Sequence, residues 1–285
     1  MIVADTVAAL RAAVAHARRA GRRVAFVPTM GNLHAGHAHL FTAARAAADF
    51  VVASIYVNPL QFGPSEDFAN YPRTPAEDHA VLRTVGVDAV FMPDDSAMYP
   101  RGRAASTRVS VPDLGDILCG AARPGHFTGV TTVVNRLFNL VAPDVALFGK
   151  KDYQQLLLIK LMTQDLGIPI EIVGIETVRA DDGLALSSRN GYLTAPERAR
   201  APQLYAQLRA AKYALLAGAA VSEVERAAEA ALATAGFAPE YVSVRRQSDL
   251  AVPGTADAQW VILAAARLGR ARLIDNLELD LNLRT

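Results

Sequence analysis

Apolar residues follow two alternating spacings through the first two thirds of the chain. Short apolar runs predict strands at residues 24–27, 50–57, 87–92, 145–148 and 170–175. Helical spacing predicts helices at residues 6–20, 35–48, from about 75, at 128–141 and at 153–166. Buried strands that alternate with helices form a parallel sheet covered on both faces. Residues 1–178 are therefore predicted to form a Rossmann-like, doubly wound α/β domain.

The pattern changes after residue 179. Two predicted helices follow each other at about 195–217 and 222–235, and three strand-like segments come next at 241–245, 260–266 and 272–275. This order is typical of an α+β domain. We expect a second, smaller domain at residues 179–285, a lid joined to the first by a linker near residues 179–188.

Composition and charge exclude several classes of protein. The 285 residues are 52% hydrophobic and 20% charged, with a net charge of +1, which is ordinary for a globular enzyme and unlike a nucleic-acid or membrane surface. The single cysteine, Cys119, excludes an intramolecular disulfide and a cysteine-based zinc site. There is no signal-peptide pattern and no apolar run of about 18 residues. We expect a cytoplasmic location.

The strongest local motif is PTMGNLHAGH at residues 28–37, between a predicted strand and a predicted helix. Helix N-termini bind anions, and His34 and His37 share one face of this helix start. The pair could donate hydrogen bonds to a phosphate or move protons near neutral pH. Half of a metal site and two unrelated surface histidines are the alternatives. The two common glycine-rich phosphate motifs are absent, so a nucleotide would be held by another device.

Amide side chains follow the next strand, in NPLQF at residues 58–62. Asn58 and Gln61 would lie at the mouth of the same site, because the carboxyl ends of parallel strands share one edge of a sheet. Neutral amides recognise hydroxyl and carbonyl groups without adding charge, which suits a hydroxy acid. A plain polar turn is the alternative.

Two later segments carry phosphate-type chemistry. In FGKKDYQQ, residues 148–155, Lys151 can neutralise phosphate, and Asp152 suits a helix cap, a ribose or Mg²⁺. In LSSRN, residues 186–190, two hydroxyl groups and the Arg189 guanidinium could clamp polyphosphate oxygens. A capped helix and an ordinary linker are the alternatives.

His-x-Gly-His after a strand is the signature of a nucleotidylyltransferase-like superfamily. Its enzymes catalyse attack on the α-phosphate of ATP. All the segments together, in their order, resemble the pantothenate synthetase family, the pantoate–β-alanine ligases. The resemblance covers essentially the whole chain and is carried by residues 28–37, 58–62, 71–74, 123–127, 148–155, 184–193, 264–269 and 272–276. It implies an ATP-dependent condensation of pantoate with β-alanine through a pantoyl-adenylate, with Mg²⁺, in a homodimer whose active site lies between the two domains.

The resemblance also implies a role for individual residues. The catalytic groups would be His37 as proton donor, His34, Lys151 and Arg189. Pantoate and β-alanine would contact Gln61, Gln155 and Asn58. Either Glu77 or Asp78 would assist Mg²⁺. The residues implied in ATP binding are Met30, Gly31, Asn32, Leu33, His34, Ala35, Gly36, His37, Gly149, Lys150, Lys151, Asp152, Val178, Leu186, Ser187, Ser188 and Arg189.

This chain departs from the family pattern at two positions. Cys119 stands where relatives often have glutamate, and Lys150 stands where they usually have an acidic residue, which would make the phosphate region more positive. Two other functions remain open from the sequence. One is an adenylyltransferase acting on a phosphorylated or nucleotide substrate, and the other is a non-catalytic nucleotide-binding module.

Overall fold

The protein is described by a computed structural model that covers residues 1–64, 66 and 68–283. It divides into two compact units. The first contains Met1–Lys150 and Gln155–Glu176, and the second contains Lys151–Gln154 and Thr177–Thr285. The main division lies two residues before the expected boundary. The segment Lys151–Gln154 lies within the predicted first domain in sequence, yet it packs with the second unit.

The first unit is built on a six-stranded, wholly parallel sheet with the order β1-β4-β3-β2-β5-β6. Its strands are β1 (Ile2–Ala4), β2 (Val24–Thr29), β3 (Phe50–Ile55), β4 (Ala89–Phe91), β5 (Val145–Gly149) and β6 (Glu171–Ile175). The predicted fold class is therefore confirmed. Only β1 was not predicted, because a strand of three residues is too short to show a periodicity.

Helices join these strands. Their bounds are α1 (Val7–Arg19), α2 (Ala35–Ala47), α3 (Pro75–Thr84), α4 (Asp95–Met98), α5 (Cys119–Ala122), α6 (His126–Val141) and α7 (Tyr153–Asp165). The Thr6 hydroxyl caps α1 by accepting from the Ala9 N–H, and Gly21 follows the helix with φ +71°. The four-residue helices α4 and α5 were not predicted, since one turn leaves no repeat to detect.

Aromatic side chains fill much of the space between the sheet and α6. The rings of Phe26 and Phe138 lie 6.4 Å apart, and those of Phe138 and Phe148 lie 6.3 Å apart, both edge to face. All three side chains are buried, and each stabilises the fold by roughly 1.5–3 kcal/mol. This packing holds β2 and β5 against α6.

The second unit packs helices against a small antiparallel sheet with the order β7-β8-β9. Its elements are α8 (Ala195–Arg200), α9 (Gln203–Leu216), α10 (Val221–Thr234), β7 (Ala238–Arg246), β8 (Gln259–Leu268) and β9 (Ala271–Asp280). The single helix predicted at 195–217 is wrong: it is broken at Pro202, which has no N–H to continue the hydrogen-bond ladder. Among the described helices, none has the length and apolar character needed to cross a membrane.

A buried ion pair ties the start of this unit to β9. Arg179 binds both carboxylate oxygens of Asp275 at 2.5 and 2.9 Å, and its guanidinium lies 3.6 Å from the centre of the Tyr205 ring. Asp275 is 4% exposed. Burying this charge is tolerated only because the bidentate pair compensates it.

Candidate active site

The predicted motifs of the first unit meet at one edge of its sheet. Strand β2 lies between β3 and β5, and chain order reverses at this point. Beyond the carboxyl end of β2 come the histidine turn and α2. Beyond β3 comes a 3₁₀ helix, Pro59–Gln61, and beyond β5 comes the start of α7 with Gln155. A reversal of this kind forms the ligand-binding crevice of doubly wound sheets.

The two histidines at the start of α2 have a defined tautomer. The Gly36 N–H donates to Nδ1 of His34 at 3.1 Å, and the His34 N–H donates to Nδ1 of His37 at 3.3 Å. A backbone N–H can only donate, so Nδ1 of each ring is an acceptor and the proton of the neutral ring lies on Nε2. The ring centres are 4.1 Å apart. The pair therefore forms two N–H donors at a helix N-terminus, where anions are favoured.

The turn before these histidines is held by a buried carboxylate. Gly31 and Asn32 have φ of +80° and +50°. Asp78 of α3 accepts from the N–H groups of Asn32 at 3.0 Å and Leu33 at 2.7 Å, and from the Thr74 hydroxyl at 3.1 Å. Asp78 is 2% exposed. Both its oxygens are engaged, which favours a role in shaping the turn over the predicted role as a Mg²⁺ ligand.

The side-chain amides of Asn58 and Gln61 are hydrogen-bonded to each other, but their environments differ. Asn58 is 1% exposed, and the structure pairs all the hydrogen-bonding positions of its side-chain amide within the protein. Its predicted contact with substrate is therefore disfavoured. Gln61 is 9% exposed, and its Nε2 lies 3.2 Å from Sδ of Met30, next to the histidine turn.

The main chain of Gln61 is fixed by residues of the 123–127 motif, to which the sequence assigned no role. Arg123 Nη2 donates to the Gln61 carbonyl at 3.2 Å, and Nδ1 of His126 lies 2.8 Å from the same oxygen. Arg123 also binds Glu66 through two contacts of 2.6 Å. Burial raises the pKa of Glu66, but the hydrogen bonds and charge of Arg123 outweigh it and hold that pKa below its ordinary value.

The phosphate-type side chains Lys151, Ser187, Ser188 and Arg189 all belong to the second unit. Nδ2 of Asn276 donates to the Lys151 carbonyl at 2.9 Å, which explains why this segment packs with the second unit. The Ser187 hydroxyl accepts from the Arg189 N–H at 3.3 Å and so shapes the turn. Lys151 and Ser187 line the same small cleft.

The remaining predicted residues lie as follows. Gln155 and Val178 are half-buried, Glu77 is exposed, and Gly149 ends β5. The Leu186 N–H donates to the Val178 carbonyl at 3.0 Å.

The two departures from the family pattern have different surroundings. Lys150 lies 2.5 Å from the Glu176 carboxylate, which offsets the positive charge expected from this departure. Cys119, the other departure, is buried. Among residues 1–64, 66 and 68–283, no group of three or more His, Cys, Asp or Glu side chains could hold a metal ion.

Known proteins resemble the chain over nearly its full length. The family model for pantoate–β-alanine ligase matches residues 2–278. The pantothenate synthetase of Shewanella amazonensis is 58% identical over 94% of this chain and 95% of its own length. That of Chromohalobacter salexigens is 56% identical over 99% of both chains.

Solved structures also resemble the chain over nearly its full length. The crystal structure of pantothenate synthetase from Thermus thermophilus is 48% identical and has a TM-score of 0.91, with 97% of this chain and 99% of that chain covered. The pantoate–β-alanine ligase from Francisella tularensis, solved in complex with β,γ-ATP and β-alanine, is 32% identical with a TM-score of 0.80 and covers 97% of each chain. Sequence and fold agree, and the chain belongs to the pantoate–β-alanine ligase family.

Proposed function

We propose that this chain is an AMP-forming ligase that condenses pantoate with β-alanine, using ATP, through a pantoyl-adenylate intermediate, and releases pantothenate, AMP and pyrophosphate. Family membership supports the reaction. The observation in the structure that supports it best is the pair of imidazoles at the start of α2, each with its proton on Nε2 and with ring centres 4.1 Å apart. Gln61 lies next to this turn, because its Nε2 contacts Sδ of Met30. Imidazole N–H groups that can donate hydrogen bonds to phosphate, and an amide that can donate to a hydroxy acid, lie at one edge of the sheet. This combination suits a site that binds a nucleotide and a hydroxy acid together.

The first step activates the acid. A carboxylate oxygen of pantoate attacks the α-phosphorus of ATP, a phosphorus–oxygen bond forms, and the bond from that phosphorus to the departing pyrophosphate breaks. Negative charge grows on the phosphate oxygens. His34 and His37 donate hydrogen bonds to these oxygens through Nε2–H. Donors fixed in place before the reaction lower the barrier because no reorganisation is needed as the charge develops.

The second step forms the amide. The amine of β-alanine attacks the activated carbonyl carbon, and a carbon–nitrogen bond forms. AMP leaves with the electrons of the carbon–oxygen bond, and the nitrogen loses a proton to solvent. Gln61 and Gln155 orient the pantoate group. Holding the two reactants close together and correctly oriented supplies much of the rate acceleration in such a step.

Lys151 and Arg189 provide positive charge for the nucleotide phosphates, and Ser187 and Ser188 add hydroxyl donors. The turn at residues 187–189, which the Ser187 hydroxyl shapes, supports this role. Gly149, Lys150, Asp152 and Val178 contact the adenosine part, and Leu186 closes over the nucleotide. The lid role of residues 179–285 stays a prediction.

Magnesium enters with ATP as part of the co-substrate. Mg²⁺ is usually bound by one or two carboxylates together with substrate phosphates and waters, so a protein cage of ligands is not required. The structure disfavours Asp78 for this role, because three hydrogen bonds already occupy its carboxylate. Glu77, which is exposed, is then the remaining candidate from the sequence.

The chain also works in the cytoplasm as a homodimer formed through the first unit, a proposal that rests on the family resemblance. A dimer mass in light scattering at micromolar concentration is the expected result.

Product analysis tests the proposed reaction. Purified protein with pantoate, β-alanine and Mg·ATP should give pantothenate, AMP and pyrophosphate in equal amounts. Release of ADP and phosphate would instead indicate an acyl-phosphate mechanism. A product that retains the adenylyl group would indicate an adenylyltransferase, and no turnover with any acid would indicate a binding module.

A further inference from the structure

A chain of hydrogen bonds, which we call the relay, runs from Tyr99 through Asn58 to Gln61. We propose that Tyr99 is a positioning residue, which acts through Asn58 to fix the Gln61 amide with its NH₂ group towards the substrate. This inference rests on the proposed function, in which Gln61 binds pantoate. It assigns to Tyr99 a role that neither the motifs nor the local sequence indicate.

The orientation of the Asn58 amide is settled by two main-chain groups of fixed polarity. The Leu60 N–H can only donate, and it lies 3.2 Å from Oδ1 of Asn58. The Gly129 carbonyl can only accept, and it lies 3.1 Å from Nδ2. The Asn58 oxygen and nitrogen cannot exchange places without losing both bonds.

The fixed Asn58 amide then sets the orientation of Gln61. Nδ2 of Asn58 donates its second hydrogen to Oε1 of Gln61 at 3.1 Å. The Gln61 oxygen is thereby turned towards Asn58, and Nε2 is turned towards Met30 and the histidine turn. A thioether sulfur is a weak acceptor, so a ligand oxygen is a better partner for Nε2. Gln61 is thus a donor at this site.

Tyr99 completes the relay. Its hydroxyl donates to Oδ1 of Asn58 at 2.7 Å and fills the second acceptor position of that oxygen. Tyr99 is 3% exposed, and burial raises its pKa to about 12. The phenol therefore stays protonated, and stays a donor, at any pH at which the enzyme would be assayed.

A fixed donor decides which chemical group can lie at Gln61. The oxygens of the pantoate carboxylate only accept hydrogen bonds, and its hydroxyls can accept. The ammonium group of β-alanine only donates, and it would face two N–H bonds of the same polarity at Nε2. The relay therefore favours an oxygen acceptor over an ammonium group at Gln61, without placing a charge in the site.

The test compares Tyr99→Phe with Tyr56→Phe. Tyr56 is also buried, and its ring centre lies 6.3 Å from that of Tyr99, but its hydroxyl donates to Asp95 at 2.7 Å and not to Asn58. Loss of one buried hydrogen bond should lower kcat/KM for pantoate about tenfold in Tyr99→Phe, with the KM for ATP unchanged. Tyr56→Phe should keep the pantoate kinetics of the parent. Normal pantoate kinetics in Tyr99→Phe would overturn the proposal.

A double-mutant cycle separates positioning from general destabilisation. If Tyr99 acts through Gln61, Tyr99→Phe should lower kcat/KM for pantoate no further in a Gln61→Ala background. Additive losses in kcat/KM would mean that Tyr99 acts elsewhere and would overturn the relay. Gln61→Ala with normal pantoate use would overturn both the relay and the substrate assignment of Gln61.

The near-isosteric Gln61→Glu gives a readout if Tyr99→Phe folds poorly. It replaces the NH₂ donor with an acceptor oxygen, so it should impair pantoate use as much as Gln61→Ala does. Parental kcat/KM for pantoate in Gln61→Glu would overturn the donor assignment.

Discussion

Replacing Asp78 with alanine should destabilise the protein and disorder the turn that precedes α2. The side chain is 2% exposed and is the acceptor for the N–H groups of Asn32 and Leu33. A buried donor that loses its partner costs about 1–3 kcal/mol, so two donors give an expected loss of about 2–6 kcal/mol in the free energy of unfolding. Asn32 has a Cβ and a positive φ, which costs free energy, so the turn should relax once this anchor is lost.

The assay is urea denaturation, with ATP binding followed in parallel by calorimetry. ATP affinity should fall as well, because the same turn presents His34 and His37. Glu77→Ala is the matched control for the stability measurement: it lies on the same helix, is exposed, and should change the free energy of unfolding by less than about 0.5 kcal/mol.

One result would refute this reasoning. If Asp78→Ala had the stability of the parent and only a higher Mg²⁺ requirement, Asp78 would be a metal ligand and the turn would be held by other contacts. Asp78→Asn gives an intermediate case, since its oxygen can accept from one N–H while its NH₂ opposes the other.

Three further substitutions have expected outcomes. His37→Ala should lower kcat about 100- to 1000-fold in steady-state assays with the fold intact by circular dichroism, because a donor to the developing phosphate charge is lost. Gly129→Ala should destabilise by about 1–3 kcal/mol in thermal unfolding, since its Cβ would lie 2.2 Å from the Leu60 carbonyl oxygen; an unchanged Tm would show that α6 can shift. Asp275→Ala should cost about 3–5 kcal/mol in urea unfolding by leaving the Arg179 charge unpaired, and a much smaller loss would mean that water reaches the pair.

The fold could be predicted from sequence because its two periodicities are strong. Strands such as β2 and β3 are apolar on both faces, and the helices between them repeat every three to four residues. The same logic placed the histidine turn, the Asn58 loop and α7 at one sheet edge. It failed at β1, which is too short to show a pattern, and at Pro202, where a local break interrupts an otherwise helical composition.

The finer organisation of the site could not be predicted, because it depends on contacts between residues far apart in the chain. Asp78 binds Asn32 across 46 positions, and Tyr99 binds Asn58 across 41. Asn276 draws Lys151 into the second unit across 125 positions. No spacing rule reports such pairs. The sequence therefore named Asn58 as a substrate contact and Asp78 as one of two candidates to assist Mg²⁺, whereas the structure favours supporting roles for both.

The central claim is that the carboxylate of pantoate is activated by adenylation before the amine reacts. Exchange of labelled pyrophosphate into ATP tests this most directly, with Mg²⁺ and pantoate present and β-alanine left out. The account predicts exchange that depends on pantoate, and conversion of the adenylate to pantothenate and AMP once β-alanine is added. A preparation that binds ATP but shows no exchange with pantoate would contradict it.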